Sequence, residues 1–222
     1  MIELQSSPLM PEKEAELSVM GVWVIGTLPD QKTKELPRAA VQVPNVADEL
    51  TWWRSKAPES LFSASRTSHG SWVAHDDAFR LSALFDNCYD DSDAAEALGD
   101  AVMDRFPPKG DEGLFAAVAR KASPFSALAY ALGPDAVLRL PGWFGGFLLH
   151  AEEVRTQLPA AEKALALTGA QRRAAVERIH RWMTGLGDDP DHDAEELLEG
   201  PLRVLRHAAR TGQGAAGLVR WY

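Results

Sequence analysis

The spacing of apolar residues predicts helices along most of the chain from about residue 46 onward. Apolar residues recur there three and four positions apart, which is the period of an amphipathic helix. The clearest example follows Thr168 and predicts one buried helical face, made of Val176, Ile179, Trp182, Met183 and Leu186. Residues 114–121 and residues 143–154 are interpreted as further helical segments.

Capping residues predict where several of these helices begin. Asp93 followed by Glu96 has the form of a capping box, and it opens a helix to about residue 106. Ser123 before a proline predicts a second N-cap, and Asp193 a third.

Two prolines predict interruptions in the later helices. Pro159 is expected to begin a short helix that ends at Leu167. Gly200–Pro201 is expected to kink or split the helix that follows Asp193, with a second piece running from Leu202 to Arg210.

The first part of the chain carries the pattern of strands. Residues 15–28 are rich in Val, Ile and Trp and end at a turn-forming Pro–Asp pair. Val41 and Val43 alternate with Gln42 before Pro44 and predict a second, antiparallel strand at 38–43. Residues 217–222 are a candidate third strand.

These patterns predict an α+β fold, mostly α-helical, with a small N-terminal antiparallel sheet packed on a helical body. We expect a flexible tail at residues 1–13 and a single domain over residues 14–222. The sheet is expected within residues 14–45 and the helices within residues 46–216. A lone hairpin is marginally stable in water, so the sheet has to lie against the helices.

The composition indicates a folded protein. Its 222 residues are 45% hydrophobic and 25% charged, which is too apolar for a disordered chain. The most apolar window, residues 138–149, is shorter than the roughly twenty residues of a membrane helix, and no signal-peptide pattern opens the chain. The single cysteine, Cys88, allows no intramolecular disulfide. We therefore expect a cytoplasmic protein, and the residue usage is typical of a GC-rich bacterial genome.

Acidic residues are concentrated in one segment of the chain. The whole sequence has 32 acidic and 23 basic residues and a net charge of −9. Residues 61–113 hold 11 of the acidic residues and only 4 of the basic ones, so most of the imbalance lies there. This charge disfavours binding to nucleic acids and to anionic membranes.

The carboxylates of this segment predict an acidic face that binds a basic protein partner. The residues assigned to it are Asp86, Asp90, Asp91, Asp93 and Glu96. A divalent cation site stays open as an alternative, because hard cations take several oxygen ligands. The simplest alternative is an acidic loop whose carboxylates interact with a helix N-terminus.

His75 and Asp76 are candidate residues of a different function, a metal-dependent hydrolase. This doublet resembles the His–Asp pair of HD-type phosphohydrolases, a helical family whose metal ligands are a histidine, the doublet and a later aspartate. The resemblance covers one dipeptide. The nearest upstream histidine, His69, lies only six residues before the doublet, whereas the family's first ligand comes from a separate helix.

His150 is a second candidate, with Glu152 or Glu153 as its carboxylate neighbour. With 100° of rotation per helical residue, His150 and His180 each lie next to the apolar face of their predicted helix. At these positions the two imidazoles could converge. The same phase places His207 on an exposed side. No cofactor is predicted, and a divalent metal is left open.

Adjacent aromatic residues predict a possible ligand pocket. Consecutive helix positions point about 100° apart, so one member of Trp52–Trp53 and one of Trp143–Phe144 is expected away from the core. Trp143 and Phe144, among neighbouring glycines, are assigned to the floor of a pocket for a cationic or peptide ligand. Ordinary core packing is the alternative.

The sequence as a whole predicts a binding or regulatory protein that engages a basic protein partner. Bacterial immunity-type proteins supply the analogy. The alternative is a metal-dependent hydrolase with a His/Asp or His/Glu site. The chain has no phosphate-binding glycine loop and no nucleophile elbow, which disfavours nucleotide chemistry and serine hydrolysis through those motifs.

Overall fold

The computed structural model describes residues 20–36, 46–64, 70–86, 93–188 and 192–222. Helices predominate in these ranges and pack with an antiparallel sheet, so the predicted α+β, mostly helical fold is confirmed. The predicted tail at 1–13 and the predicted strand at 38–43 lie outside the described residues.

Six strands form two sheets in the described part of the chain. In chain order they are β1 (Gly21–Leu28), β2 (Phe62–Ala64), β3 (Trp72–Ala74), β4 (Leu114–Ala119), β5 (Phe147–Leu149) and β6 (Gly214–Trp221). The main sheet has the order β4-β1-β6-β5 with antiparallel neighbours throughout, while β2 and β3 pair separately.

Helices connect and cover these strands. They are α1 (Asp30–Glu35), α2 (Ala47–Arg54), α3 (Asp76–Asp86), α4 (Asp93–Met103), α5 (Pro124–Leu132), α6 (Pro134–Val137), α7 (Ala151–Leu165), α8 (Gly169–Gly185) and α9 (Ala194–Thr211). Short 3₁₀ turns occupy Pro58–Leu61 and Pro141–Phe144. Among the described residues, no helix combines the length and the apolar character needed to cross a bilayer.

The main sheet is not confined to the predicted region 14–45. The described residues of that region, 20–36, form a single strand of the main sheet, β1, and the helix α1 follows it. The strands β4 and β5 lie inside the predicted helical region, and β6 begins there. The reason is that β1 is a central strand, and its hydrogen-bonding neighbours β4 and β6 come from distant parts of the sequence.

The helical prediction for residues 114–121 is wrong, because residues 114–119 form β4. Alanine-rich sequence favours a helix, but pairing along β1 supplies tertiary contacts that outweigh this local preference. The predicted helical stripe over 143–154 is also wrong, since β5 occupies Phe147–Leu149 and α7 begins only at Ala151.

Both prolines lie inside continuous helices. Pro159 is within α7 and Pro201 is within α9, so the predicted helix start and the predicted two-piece helix are corrected. Pro159 is exposed, where water can satisfy the carbonyl that its missing N–H leaves unpaired.

The predicted caps at Ser123 and Asp193 are confirmed. The Ser123 hydroxyl accepts a hydrogen bond from the Ser126 amide at 3.4 Å, and an Asp193 carboxylate oxygen accepts one from the Glu196 amide at 3.0 Å. These bonds satisfy amides that have no partner within the first helical turn.

The main sheet has two differently covered faces. On the inner face, Trp23 meets Phe115 of β4 and Phe125 of α5 in an aromatic core, and α7 and α9 also contact the sheet. On the outer face, Leu98 and Val102 of α4 are buried in a smaller apolar cluster with residues of β1, β5 and β6. The helix α4 therefore covers only part of the outer face.

Candidate protein-interaction surface

The exposed side of α4 carries a row of carboxylates, which we call the acidic stripe. Its members are Asp93, Glu96, Asp100 and Asp104, the last directly after the helix, and all four are exposed. Their spacing of three and four residues places them on one side of the helix. Because Leu98 and Val102 bury the opposite side against the sheet, the stripe points to solvent.

One member of the acidic stripe is compensated by a cation of the sheet. Arg220 of β6 donates to Asp100 Oδ1 at 2.6 Å and to the Glu96 carbonyl at 2.7 Å. Gly99 leaves room for this guanidinium, since a Cβ there would lie 2.1 Å from Arg220 Nη2. Arg220 thus fastens α4 to the sheet while neutralising Asp100.

The other three carboxylates of the stripe have no ion pair among the described residues. Asp93 and Glu96 lie in the first turn of α4, where the helix dipole favours negative charge. Asp104 lies past the other end of the helix, where that interaction is unfavourable. The stripe therefore presents a net negative field to solvent.

Beside α4, the outer face of the sheet exposes apolar side chains. We call this group the open sheet patch, and its members are Met20, Val22, Ala116, Val118 and Tyr222. Val118 is 56% exposed and Tyr222 is 65% exposed. The residues are contiguous by register, since Val22 lies opposite Val118 and Met20 pairs with Tyr222.

The acidic stripe and the open sheet patch border one another. Val22 lies opposite Arg220 in the β1–β6 register, and Arg220 is the residue that holds α4. Side chains at directly opposite positions of an antiparallel pair project from the same face. An exposed apolar patch beside charged residues is a candidate interaction surface.

Two other carboxylates of the acidic segment are neutralised by residues outside it. Asp77 pairs with Lys56 at 2.6 Å, and Glu112 pairs with Arg210 at 2.7 Å. A hydrogen bond with His207 and the charge of Arg210 lower the pKa of Glu112. Charge counted by segment therefore overstates the acidic surface.

The structure brings together only part of the predicted partner-binding set. Asp93 and Glu96 belong to the acidic stripe, while Asp86 is the last residue of α3. Desolvation raises the pKa of Asp86, and a hydrogen bond with Ser82 partly offsets this shift. Asp90 and Asp91 lie outside the described residues.

His75 and Asp76 lie at the start of α3 and are both exposed. The His75 carbonyl accepts the Ala78 amide at 2.8 Å, as part of the first helical turn. His69 lies outside the described ranges. Within those ranges, no three or more His, Cys, Asp or Glu side chains are grouped to hold a metal ion.

His150 and Glu153 are neighbours in a capping box at the start of α7. The His150 amide donates to Glu153 Oε2 at 2.8 Å, and His150 Nδ1 lies 2.9 Å from Thr33 Oγ1. Asp30 Oδ1 accepts the Ala151 amide at 2.7 Å. These contacts dock the beginning of α7 on α1, so His150 and Glu153 have a structural role.

His180 lies beside His192, with ring centroids 4.8 Å apart, and not beside the residues that contact His150. His207 lies 3.1 Å from Glu112. The histidines considered together in the sequence therefore have separate neighbours.

Burial and the nearby His192 lower the pKa of His180 from its ordinary value of 6.5. The unfolded chain then binds more protons than the folded one below about pH 6.5, so acidification through the lowered pKa destabilises the fold. We expect His180→Gln to lose less stability than the wild type between pH 7.5 and 5.0. Urea unfolding at both pH values measures this, with His75→Gln as an exposed control. Equal losses in all three proteins would contradict the assignment.

The predicted pocket residue Trp143 is 4% exposed and belongs to the main core. Its backbone is left-handed, with φ 55°, directly after Gly142 at φ 50°. This conformation is unfavourable for a bulky side chain and is held here by core packing. The side chain of Phe144 lies outside the described part of the chain.

The other aromatic pair divides between core and surface, as the helical geometry predicts. Trp53 is buried and meets Phe85 edge to face, with ring centroids 5.3 Å apart. Trp52 is half-buried and lies 4.1 Å beneath the Arg80 guanidinium. An internal cation therefore already occupies one face of Trp52.

Sequence reasoning missed Asp100, Asp104 and the open sheet patch. The signal for Asp104 was present, because acidic residues recur at 93, 96, 100 and 104 with helical spacing. The patch has no comparable signal, since residues around 20, 118 and 222 meet only through strand pairing.

Comparison of the chain with known protein families found no match, and searches of curated proteins and solved structures found no similar protein. The functional argument therefore depends on the described surface.

Proposed function

We propose that this protein is a binding or regulatory protein that engages a basic protein partner through the acidic stripe and the open sheet patch. The observation that carries the proposal is that the two surfaces border one another at Arg220. Arg220, which lies opposite Val22 of the patch, binds Asp100 and the Glu96 carbonyl of the stripe, and the other three carboxylates of the stripe have no ion pair among the described residues.

The two surfaces supply different parts of a binding free energy. Exposed carboxylates accelerate association with a cationic partner and set its orientation, and their effect weakens with salt. Apolar side chains at the centre of an interface supply affinity when water leaves them. Val118 and Tyr222 are the largest apolar contributors by exposed fraction.

The same chemistry limits the class of partner. A negative surface repels nucleic acid phosphates and anionic lipid headgroups, and this favours a basic protein as the partner. We place this interaction in the cytoplasm, where a protein with a single cysteine needs no disulfide.

Charge reversal on α4 tests the proposal. The variant Asp93→Lys/Glu96→Lys and the control Asp48→Lys/Glu152→Lys change the net charge equally, and all four residues are exposed in a first helical turn. The three proteins are immobilised and incubated with lysate of the source cells, and bound proteins are quantified by mass spectrometry. We expect a basic protein that binds the wild type and the control but is reduced at least tenfold on the α4 variant.

Affinity measurement then completes the test. The captured protein is purified, and calorimetry at about 50 and 300 mM salt should show binding that weakens with salt. Equal capture by all three baits, or binding to the purified protein that is unchanged by the α4 reversal, would overturn the proposal.

A further inference from the structure

The strand β4 is an edge of the main sheet without the usual protection of an edge. Among the described residues it pairs only with β1, so its other side carries backbone groups that no described strand uses. Its sequence, Leu-Phe-Ala-Ala-Val-Ala, contains neither a charged residue nor a proline. Natural sheets commonly blunt such an edge with lysine, proline or a bulge, because a bare edge is a template for another strand.

The hydrogen-bond pattern between β1 and β4 identifies which backbone N–H and C=O groups of β4 do not bind β1. The Thr27 amide donates to the Gly113 carbonyl at 2.8 Å. Thr27 and Gly113 are therefore a hydrogen-bonded pair, and every second pair along β1 and β4 is hydrogen-bonded in the same way. The residues whose N–H and C=O groups point to β1 are therefore Phe115, Ala117 and Ala119. The alternate residues, Leu114, Ala116 and Val118, point these groups away from β1.

The outward groups at both ends of β4 are already satisfied. The Leu114 amide donates to the Asp111 carbonyl at 3.1 Å, and the Leu114 carbonyl accepts Arg203 at 3.5 Å. The Arg120 amide donates to the Asp188 carboxylate at 3.1 Å. Among the described residues, the outward amides and carbonyls of Ala116 and Val118 have no hydrogen-bond partner.

Charges of opposite sign flank this free section. Asp111 precedes the strand, while Arg120 and Lys121 follow it, and Glu112 is already paired with Arg210. An antiparallel second copy places the acidic end of one strand beside the basic end of the other. Parallel pairing would bring like charges together, which is unfavourable.

We propose that two copies of this protein form a symmetric dimer by antiparallel pairing of β4 with β4. Ala116 of each copy lies opposite Val118 of the other, and their amides and carbonyls form four hydrogen bonds. The two-fold axis passes between the two Ala117 residues, so one short stretch of backbone is complementary to itself. This register uses the outward amides and carbonyls of Ala116 and Val118. It leaves unchanged the hydrogen bonds that Leu114 and Arg120 already make within each copy.

The dimer joins the two open sheet patches. The two-fold axis of an antiparallel strand pair runs perpendicular to the sheet, so the outer faces of both copies lie on the same side. Ala116 and Val118 of one copy then adjoin those of the second, with one α4 helix beyond each patch. This assembly goes beyond the proposed function and does not depend on it.

Two substitutions test the pairing. Val118→Lys places a charge on a side chain that is already 56% exposed, and Ala116→Pro removes an amide that β1 does not use. The control is Val73→Lys, on an equally apolar and 47% exposed valine of β3. We expect a dimer for the full chain and for Val73→Lys, and monomers with wild-type circular dichroism for the two β4 variants, all measured by light scattering at about 100 μM.

Amide exchange gives an independent measurement. The Ala116 and Val118 amides should be protected at high protein concentration and exchange faster on dilution, while both exchange fast in Val118→Lys. A monomeric wild type, or a dimer that survives Val118→Lys, overturns the proposal even if Ala116→Pro fails to fold. The variant Asp93→Lys/Glu96→Lys should still dimerise, so failure of the dimer and failure of the proposed partner binding are distinguishable.

Discussion

Replacing Trp182 with alanine should lower the free energy of unfolding by about 3–5 kcal/mol. Trp182 is fully buried in α8, and its ring meets those of Phe62, Phe85 and Tyr130 at centroid distances of 5.9, 5.7 and 5.1 Å. Removing the indole leaves a cavity where β2, α3, α5 and α8 converge. Urea or guanidinium unfolding of the purified variant measures the loss.

Trp182→Phe is the matched control for this prediction. The indole Nε1 is buried with no hydrogen-bond partner among the described residues, so phenylalanine removes an unsatisfied donor while keeping most of the ring. We expect Trp182→Phe to cost clearly less than Trp182→Ala. A cost below about 1 kcal/mol for the alanine variant would show that this aromatic cluster does not hold the elements together.

Side chains larger than hydrogen at Gly200 should destabilise the protein in order of size. A Cβ on Gly200 would lie 2.1 Å from Cδ2 of Phe115, which is 1% exposed and confined by the core. Overpacking of this kind costs about 1–3 kcal/mol. Alanine in a helix gains back about 1 kcal/mol over glycine, whereas valine gains less because its branched side chain loses rotamers.

The expected result is a net loss for Gly200→Ala and a larger one for Gly200→Val. Gly146→Ala is the control, since no atom lies within 4 Å of a Cβ at that position. Thermal unfolding of the three variants decides between the cost of overpacking and the gain in helix propensity. A raised midpoint for Gly200→Ala would mean that helix propensity outweighs the approach of α9 to β4.

Local sequence patterns predict the helices of this protein better than its sheet. All the predicted periodic residues after Thr168 except Leu186, which directly follows the helix, lie in α8, where Ile179, Trp182 and Met183 are buried. Periodicity and capping act within a few residues, so the sequence alone carries them. The strand β4 has no such local signal, because its alanines take up a strand only where β1 offers hydrogen-bonding groups.

In the candidate surface, too, local spacing is visible in the sequence and long-range pairing is not. The helical spacing of Asp93, Glu96 and Asp100 is visible in the sequence, but the neutralisation of Asp100 is not. Its cation, Arg220, lies 120 residues away and arrives only through strand pairing. Segmental charge therefore located the acidic region and could not tell which carboxylates are free.

The central pairing of β1 with β6 also determines when the sheet can form. Gly21 lies opposite Trp221, so this pair joins residues 200 positions apart, and β6 separates β1 from β5. Closing so long a loop is entropically costly before its contacts form, and folds dominated by distant contacts fold slowly. During synthesis the helices can form as they emerge, whereas the sheet stays incomplete until residues 214–221 are available. Until then β1 has an empty side, which makes the nascent chain most vulnerable to wrong strand pairing at the last stage of folding.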